Sequence, residues 1–201
     1  MSSPVDTRQR LIDAAQSLIY ASSYREVGVQ QICEQAEVKK GSFYHFFPSK
    51  RDLALAAMDQ SLAFAQDAFI NDAFIEDIAP LARISRFFEA LYVFHKGIKE
   101  STGFILGCPF GNIGCEMSAQ DEILRLKADN MLAECEQPFV EALNAAVSCG
   151  DLPQMDTESA ACALFAYVEG IMVYAKTRND PELIRDLGKR ALCLLMPAGL
   201  Q

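Results

Sequence analysis

Apolar residues recur at helical spacing along nearly the whole chain, and this periodicity limits the fold more than any other feature of the sequence. The first such face runs from Leu11 to Ile19, and the apolar–polar alternation that marks a strand is nearly absent. In the C-terminal part of the chain, periodic segments cover residues 121–147, 157–177 and 181–196. We therefore predict an all-α protein of about nine helices.

Two neighbouring segments are too short to be stable by themselves. Val29–Ala36 and Lys40–Phe47 each provide about two helical turns, and Glu37 and Val38 lie between them. Isolated helices of that length do not form in water, because nucleation is unfavourable and few hydrogen bonds follow it. The two segments must pack on the longer helices before and after them, which is the arrangement of a helix-turn-helix.

The formal charge of −9 at pH 7 argues at first against a nucleic-acid partner. The charge is unevenly distributed, however. Residues 1–60 carry seven Lys and Arg side chains and seven Asp and Glu side chains, so this part of the chain is neutral. All the excess negative charge belongs to residues 61–201. A neutral N-terminal part is compatible with DNA binding.

The second short segment has side chains suited to a DNA-reading helix. Lys39 and Lys40 lie at its N-terminus, where backbone N–H groups also attract phosphate. The polar side chains predicted to point away from Phe43 are Ser42, Tyr44 and His45. Lys50, just after this segment, is predicted to lie over a neighbouring phosphate. Phosphate contacts set the register of such a helix, and contacts to base edges read the sequence.

The string VQQICEQAEVKKGSFYHFFPSKRDL, from Val29 to Leu53, resembles the DNA-binding domain of the TetR family of bacterial transcriptional regulators. The resemblance implies double-stranded operator DNA as a partner. It matches the family's DNA-contacting positions to Lys39, Lys40, Ser42, Tyr44, His45 and Lys50, with Gln30 at the start of the supporting helix. It also implies a DNA-binding domain at residues 1–52, followed by an effector-binding and dimerisation domain at residues 53–201.

Two residues depart from the family pattern. Gly28 stands where the family often has a Ser or Thr that caps the supporting helix. Glu37 stands where a glycine usually makes the turn. A residue other than glycine at positive φ costs about 1 kcal/mol.

A single recognition helix reads too few base pairs to select one site in a genome, so we expect a homodimer on a palindromic operator. The last two predicted helices have broad apolar faces that would form a four-helix bundle between subunits. The residues expected at this interface are Leu164, Val168, Ile171, Leu187 and Leu195, with Met196 on the same face. The alternative is that both helices pack within one subunit.

The middle of the chain is predicted to bind a small apolar or electrophilic effector, because helical bundles bind ligands between their helices. The glycine-rich segment 101–114 predicts a loop or a broken helix over an apolar interior. The candidate effector residues are Phe88, Tyr92, His95, Phe110, Asn112 and Tyr167. Each of them could instead be an ordinary core residue.

Cys108 precedes Pro109 in this irregular segment. The pattern Gly107-Cys108-x-x-Gly111-Asn112 resembles that of TetR-type regulators that respond to electrophiles or oxidants, and the resemblance implies Cys108 as the sensing thiol. A reactive thiolate needs a cation or a helix N-terminus beside it, and Lys176 is the candidate. The alternative is a small buried hydrophobe. Replacing Cys108 with Ser would abolish the response of a thiol sensor and preserve that of a ligand sensor.

An all-helical thiol-dependent enzyme that uses Cys108 with His95 is the alternative from another class of protein. The sequence lacks a GxSxG elbow, a P-loop, a dinucleotide fingerprint and an HExxH motif, which favours a non-enzyme. With two histidines and no CxxC pair, we expect no metal and no cofactor. We expect no membrane-spanning segment, and the odd count of seven cysteines fits a reducing cytoplasm.

Overall fold

The structure, a computed structural model, describes residues 4–195, which contain nine α-helices and no strand. The helices are α1 (Pro4–Ala21), α2 (Val29–Gln35), α3 (Lys40–Phe46), α4 (Lys50–Ala65), α5 (Pro80–Thr102), α6 (Pro109–Met117), α7 (Glu122–Cys149), α8 (Thr157–Arg178) and α9 (Glu182–Gly188). A π-helical turn, Gln66–Ile70, continues α4, and a 3-10 turn, Ala191–Leu195, follows α9. The predicted all-α class is confirmed. Met196 lies outside the described residues.

The helices form two compact units. The first, which we call the head, comprises the described chain up to Phe64 together with Pro109–Met131. The second, which we call the body, comprises Ala65–Cys108 and the described chain from Leu132 onward. This division differs from the predicted boundary at residue 52, which would cut α4 in its first turn although α4 is one continuous helix. The head also takes in α6 and the start of α7, which no local feature of the sequence indicates.

One apolar core joins the four N-terminal helices of the head. Leu11 of α1, Ile32 of α2, Phe43 of α3 and Leu53 of α4 are all fully buried. The two short helices therefore have the tertiary support that their length requires. Glu37, in the turn between them, has φ 54°, the left-handed conformation that favours glycine. The sequence analysis expected Glu37 to occupy a turn position where the family usually has glycine, and this expectation is confirmed.

The loop or broken helix predicted for residues 101–114 is confirmed at residues 103–108, between α5 and α6, whereas residues 109–114 belong to a regular helix, α6. Pro109 is the first residue of α6, where its fixed φ and missing N–H suit the first turn. Phe110, Ile113 and Met117 are buried at helical spacing. Their burial outweighs the roughly 1 kcal/mol that each glycine costs inside a helix.

An aromatic cluster forms part of the core of the body. Its members are Phe74, Phe87, Phe139 and Phe165. The ring centroid of Phe139 lies 5.0 Å from that of Phe87 and 5.9 Å from that of Phe165, both in edge-to-face geometry. Edge-to-face pairs are the favoured arrangement of aromatic rings, and the cluster joins α5, α7 and α8.

The last helix is shorter than the predicted segment 181–196, because α9 ends at Gly188. A Cβ atom at Gly188 would lie 2.8 Å from the Cβ atom of Phe88 in α5, so only glycine permits this close approach of the two helices. The hydroxyl of Tyr167 donates a hydrogen bond to the carbonyl oxygen of Leu187, at 3.1 Å. Such a donor satisfies a carbonyl at the end of a helix, where intrahelical partners are missing.

Candidate functional site

Helix α3 exposes the polar side chains that the sequence assigns to DNA contact. Tyr44 is 52% exposed, and Lys39, Lys40 and His45 are exposed as well. Ser42 is half-buried. The neighbouring Phe43 is fully buried, and its ring lies edge-on to that of Tyr44, with 5.0 Å between the centroids. The core therefore anchors one face of α3 and leaves the opposite face free for a partner.

Two of the predicted DNA ligands are engaged within the protein. The side-chain amide of Gln30 donates a hydrogen bond to the Glu34 carboxylate at 2.9 Å, although both side chains are exposed. The ammonium of Lys50 donates to the carbonyl oxygens of Tyr24 (3.0 Å) and Val27 (3.1 Å), and it lies 4.3 Å from the centre of the Tyr24 ring. Burial lowers the pKa of Lys50. The half-buried Lys50 ammonium therefore has two carbonyl partners within the head, and its contact with a phosphate stays a prediction.

The turn between α1 and α2 is also held by an acidic residue from a distant part of the chain. The Glu116 carboxylate, on α6, accepts hydrogen bonds from the backbone N–H groups of Tyr24 (2.9 Å) and Arg25 (2.8 Å). Hydrogen bonds to an ionised acceptor are about twice as strong as those between neutral groups. Lys50 of α4 and Glu116 of α6 together fix the turn that leads into the helix-turn-helix.

The residues predicted at the dimer interface lie inside their own subunit. Leu164, Val168 and Ile171 of α8 are buried, as is Leu195, and Leu187 is half-buried. Leu164, Val168, Ile171 and Leu195 pack in the body core and are not available to a partner chain, whereas Leu187 stays partly accessible. The predicted interface face is therefore corrected, because the large apolar residues of α8 face inward.

Between its charged ends, α8 exposes a face that carries no charge. The exposed residues of this face are Cys162, Ala163, Ala166, Gly170, Val173 and Tyr174. Glu158, Lys176 and Arg178 are exposed nearer the ends of the helix. Helix α8 is long and apolar enough to cross a membrane, although no membrane-spanning segment is expected from the sequence. In its most apolar stretch of 18 residues, 39% is buried inside the protein. Core helices of water-soluble proteins reach the same hydropathy, and α8 buries its large residues in the body. An apolar exposed face of small residues permits a second helix to approach closely.

The predicted effector residues are divided between the two units. Those in the body are Phe88, Tyr92, His95, Cys108, Tyr167 and Lys176, whereas those in the head are Phe110 and Asn112. Phe88 packs on Gly188, and the Tyr92 hydroxyl donates to Oε1 of Glu182 at 2.8 Å. Phe88, Tyr92 and Tyr167 therefore contribute to the attachment of α9 within the body.

His95 is the one buried polar residue in the described core, at 2% exposure. Its Nδ1 atom has no hydrogen-bond partner among residues 4–195. The ring lies edge-on to that of Phe94, with 5.1 Å between the centroids. Burial lowers the pKa of His95 from 6.5 to about 4. His95 is therefore neutral near pH 7, with a nitrogen that could bind a polar ligand atom.

This lowered pKa predicts a specific loss of stability in acid. The folded pKa lies below the unfolded value, so stability is complete above pH 6.5 and is lost as the pH falls toward 4. Between pH 7.5 and pH 4.5 we expect His95 to cost about 2.5 kcal/mol of unfolding free energy. Urea unfolding of His95→Met should lack this component, whereas His45→Gln, at the exposed histidine, should keep it. If His95→Met and the unchanged protein lost the same unfolding free energy between pH 7.5 and pH 4.5, the prediction would be contradicted.

Cys108 is half-buried, and its thiol donates a hydrogen bond to the carboxylate of Glu169 on α8. Burial raises the pKa of Glu169. Cys135 on α7 is buried, and burial together with the nearby charge of Glu169 raises its pKa to about 12. Lys176, the predicted cationic neighbour of Cys108, is exposed. No cluster of three or more His, Cys, Asp or Glu side chains suited to a metal ion occurs in the described part of the chain.

Sequence reasoning overlooks Glu116 and Glu169 because each is a single acidic residue in no motif. Their partners lie far away in the chain: Glu116 binds residues 24 and 25, and Glu169 binds residue 108. Helical spacing marks the face on which a residue lies, but it does not indicate which distant backbone or thiol group meets that face. Only the tertiary structure reveals these contacts.

Two family descriptions match most of the chain. "Bacterial regulatory proteins, tetR family" matches residues 11–57, and "Tetracyclin repressor-like, C-terminal domain" matches residues 80–190. The chain belongs to the TetR family. The first match contains the helix-turn-helix with its exposed α3, and the second extends from α5 through α9.

Individual proteins resemble this TetR-family chain over most of its length. The transcriptional regulator AcuR of Cereibacter sphaeroides is 32% identical over 177 residues, which cover 87% of this chain and 78% of AcuR. A crystal structure of regulatory protein TetR from Rhodobacter sphaeroides has a TM-score of 0.78 at 28% identity, covering 94% of this chain and 98% of that one. Reduced NemR of Escherichia coli has the same fold, with a TM-score of 0.76 at 20% identity and coverage of 96% and 100%. This TetR-family protein is a DNA-binding transcriptional regulator.

Proposed function

We propose that this regulator is a cytoplasmic homodimeric repressor, bound to a palindromic operator and released by a small effector molecule in the body. The observation that carries the proposal is α3, whose polar face is exposed while Phe43 anchors it in the head core. Lys39 and Lys40 bind phosphates, and Tyr44 and His45 contact phosphates or base edges. Ser42 and Gln30 complete the proposed contact surface.

The exposed uncharged face of α8 is the proposed dimer interface. Small residues such as Ala163, Ala166 and Gly170 allow the same face of a second subunit to approach closely. Two-fold symmetry then presents two copies of α3 to successive major grooves. An effector releases the dimer if it binds the released conformation more tightly than the DNA-bound one.

Segment 109–131 of the head supports a route for this release. Besides Glu116, two ion pairs join it to α4: Arg51 with Asp121, at 3.3 Å, and Asp59 with Lys127. The segment begins directly after Cys108, the last residue of that part of the body. A change around Cys108 would therefore reach the head through continuous chain and through the contacts of Glu116.

Replacing Glu116 with Gln should loosen the α1–α2 turn. A neutral amide cannot accept both backbone hydrogen bonds as strongly as a carboxylate, so we expect a loss of about 1–2 kcal/mol of unfolding free energy. Operator affinity should fall about tenfold because the turn leads into α2. Hydrogen exchange at the Tyr24 and Arg25 amides should accelerate. Glu141→Gln, at an exposed acid in the middle of α7, should change none of these, and unchanged exchange in Glu116→Gln would refute the assigned role.

The surroundings of Cys108 favour a reversible ligand over thiol chemistry. The thiol donates to the Glu169 carboxylate, and an acidic neighbour disfavours the thiolate that such chemistry requires. We therefore expect Cys108→Ser to keep most of the effector response. The similarity to NemR is one of fold, with 34% identity over only 58 residues, and it does not by itself indicate a shared sensing chemistry.

A gel-shift titration with the DNA upstream of the protein's own gene tests the proposed function. We expect binding that prefers this sequence over unrelated DNA and weakens steeply with salt, because phosphate contacts release counterions. Equal affinity for unrelated DNA, or no binding at low salt, would contradict the proposal.

A further inference from the structure

The protein itself engages only some of the positive side chains among its first 60 residues. Arg10 forms an ion pair with Asp6 at 3.9 Å. Arg51 forms one with Asp121 at 3.3 Å, and two backbone carbonyls hold Lys50. A positive side chain without an acidic partner has its full charge available to a DNA phosphate. The side chains of this kind within the described part of the head, residues 4–60, are Arg8, Arg25, Lys39 and Lys40.

Arg8, on α1, lies beside the C-terminal end of the recognition helix α3. The central carbon of its guanidinium lies 5.1 Å from the centre of the Phe47 ring. Phe47 directly follows α3 and is buried, and its ring centroid lies 6.3 Å from that of Phe43. The core that anchors α3 therefore also fixes the ring on which Arg8 lies. The position of the Arg8 guanidinium is thus tied to that of α3.

Contact with the Phe47 ring leaves the hydrogen-bond donors of Arg8 available. An aromatic face attracts a cation through its quadrupole, so the attraction does not require the five N–H groups of the guanidinium. The Arg8 side chain is exposed, which allows a ligand to reach these groups. Guanidinium groups bind phosphate oxygens through two parallel N–H···O bonds. The ring also restricts a long side chain before binding, which reduces the entropy lost when a phosphate binds.

Positive side chains therefore flank both ends of α3. Lys39 precedes its first residue, Lys40, whereas Arg8 lies at Phe47, just after its last turn. A helix of seven residues is about 10 Å long, and the major groove of DNA is about 12 Å wide. Phosphates line both edges of that groove. Side chains at the two ends of α3 can thus reach phosphates on opposite edges when α3 lies between them.

We infer that Arg8 binds a DNA phosphate on the edge of the major groove opposite to that bound by Lys39 and Lys40, and that Phe47 positions it. The inference rests on the proposed contact surface of α3 and extends that surface to α1. Arg8 precedes residues 11–57, the part of the chain that matches the family's DNA-binding description. Arg25 is unpaired as well, but no hydrogen bond, ion pair or ring contact within residues 4–195 holds its guanidinium.

Gel shifts at several salt concentrations test this contact with the full-length protein and the DNA upstream of its gene. Arg8→Gln loses one phosphate contact in each of two subunits, so affinity should fall about 30-fold at 0.1 M salt. The slope of log affinity against log salt should fall by about 2. Arg8→Lys keeps the charge and should retain most of the slope. Arg86→Gln, at an exposed arginine of the body, should change neither quantity, and circular dichroism should show unchanged helical content in all three variants.

Ethylation of individual DNA phosphates separates a direct contact from an indirect effect. Ethylation removes the charge of a phosphate, so Arg8→Gln should lose sensitivity to it at one phosphate in each half-site and keep the sensitivity elsewhere. An unchanged salt slope or an unchanged ethylation pattern in Arg8→Gln, beside normal binding by the unchanged protein, would overturn this inference and leave the proposed function intact. If the unchanged protein bound no DNA, the proposed function would fall together with the inference.

Discussion

Joint replacement of Lys39 and Lys40 with Ala lowers operator affinity about 1,000-fold at 0.1 M salt, if each lysine binds one phosphate in each of two subunits. Four lost phosphate contacts should also reduce the slope of log affinity against log salt by about 3 to 4. If the protein bound DNA as a monomer, only two phosphate contacts would be lost, and the slope would fall by about half as much. Both side chains are exposed, so the melting temperature should stay unchanged. A gel-shift series at several salt concentrations measures affinity and slope together.

The matched control removes the same number of positive charges from residues outside α3. Lys96 and Lys189 are exposed in the body, and their joint replacement with Ala also removes two positive charges. For this variant, we expect the slope of log affinity against log salt to differ from that of the unchanged protein by less than about 0.9, the contribution of one phosphate contact. An equal reduction in both double variants would mean that overall charge, rather than the position of Lys39 and Lys40, governs binding.

The second large effect concerns the exposed face of α8. Ala166→Glu places a charge at the centre of the proposed interface twice, once from each subunit. An unpaired charge at a dry interface is strongly unfavourable, so we expect the dimer dissociation constant to rise at least about 100-fold. Operator affinity should fall with it, because each subunit alone reads half of the site. Sedimentation velocity over a range of protein concentrations measures the dissociation constant.

Ala133→Glu on α7 is the control, since Ala133 is also an exposed alanine on a helix. It should leave the dimer and its operator affinity unchanged. Circular dichroism should show that both variants keep their helical content, because glutamate is a good helix former. A dimer that survives Ala166→Glu unchanged would place the interface elsewhere on the subunit.

Features that depend on interactions between residues close in the sequence could be predicted from the sequence alone. The helix-turn-helix depends on local signals: two short periodic segments, a turn at Glu37 and a proline after Phe47. The exposure of Tyr44 and the burial of Phe43 follow from the same 3.6-residue period. Local patterns therefore sufficed for the recognition helix and for the all-α class.

Features that tertiary contacts determine could not be predicted from local patterns. The middle of helix α8 has apolar residues on all sides, so its period does not distinguish the buried Leu164 from the exposed Ala163. Packing of α6 overrides the poor helix propensity of its glycines. No local pattern indicates that two carbonyl oxygens, each more than 20 residues away, accept hydrogen bonds from the ammonium of Lys50.

Selection of bound sites from random DNA, followed by native mass spectrometry on the selected site, tests most directly whether a symmetric pair of chains reads DNA through α3. We predict two inverted half-sites about one helical turn apart and an even number of chains on each DNA duplex. We also predict that Tyr44→Ala lowers affinity for this site while leaving the chain count unchanged. Selected sequences without two-fold symmetry, or one chain per duplex, would contradict the account.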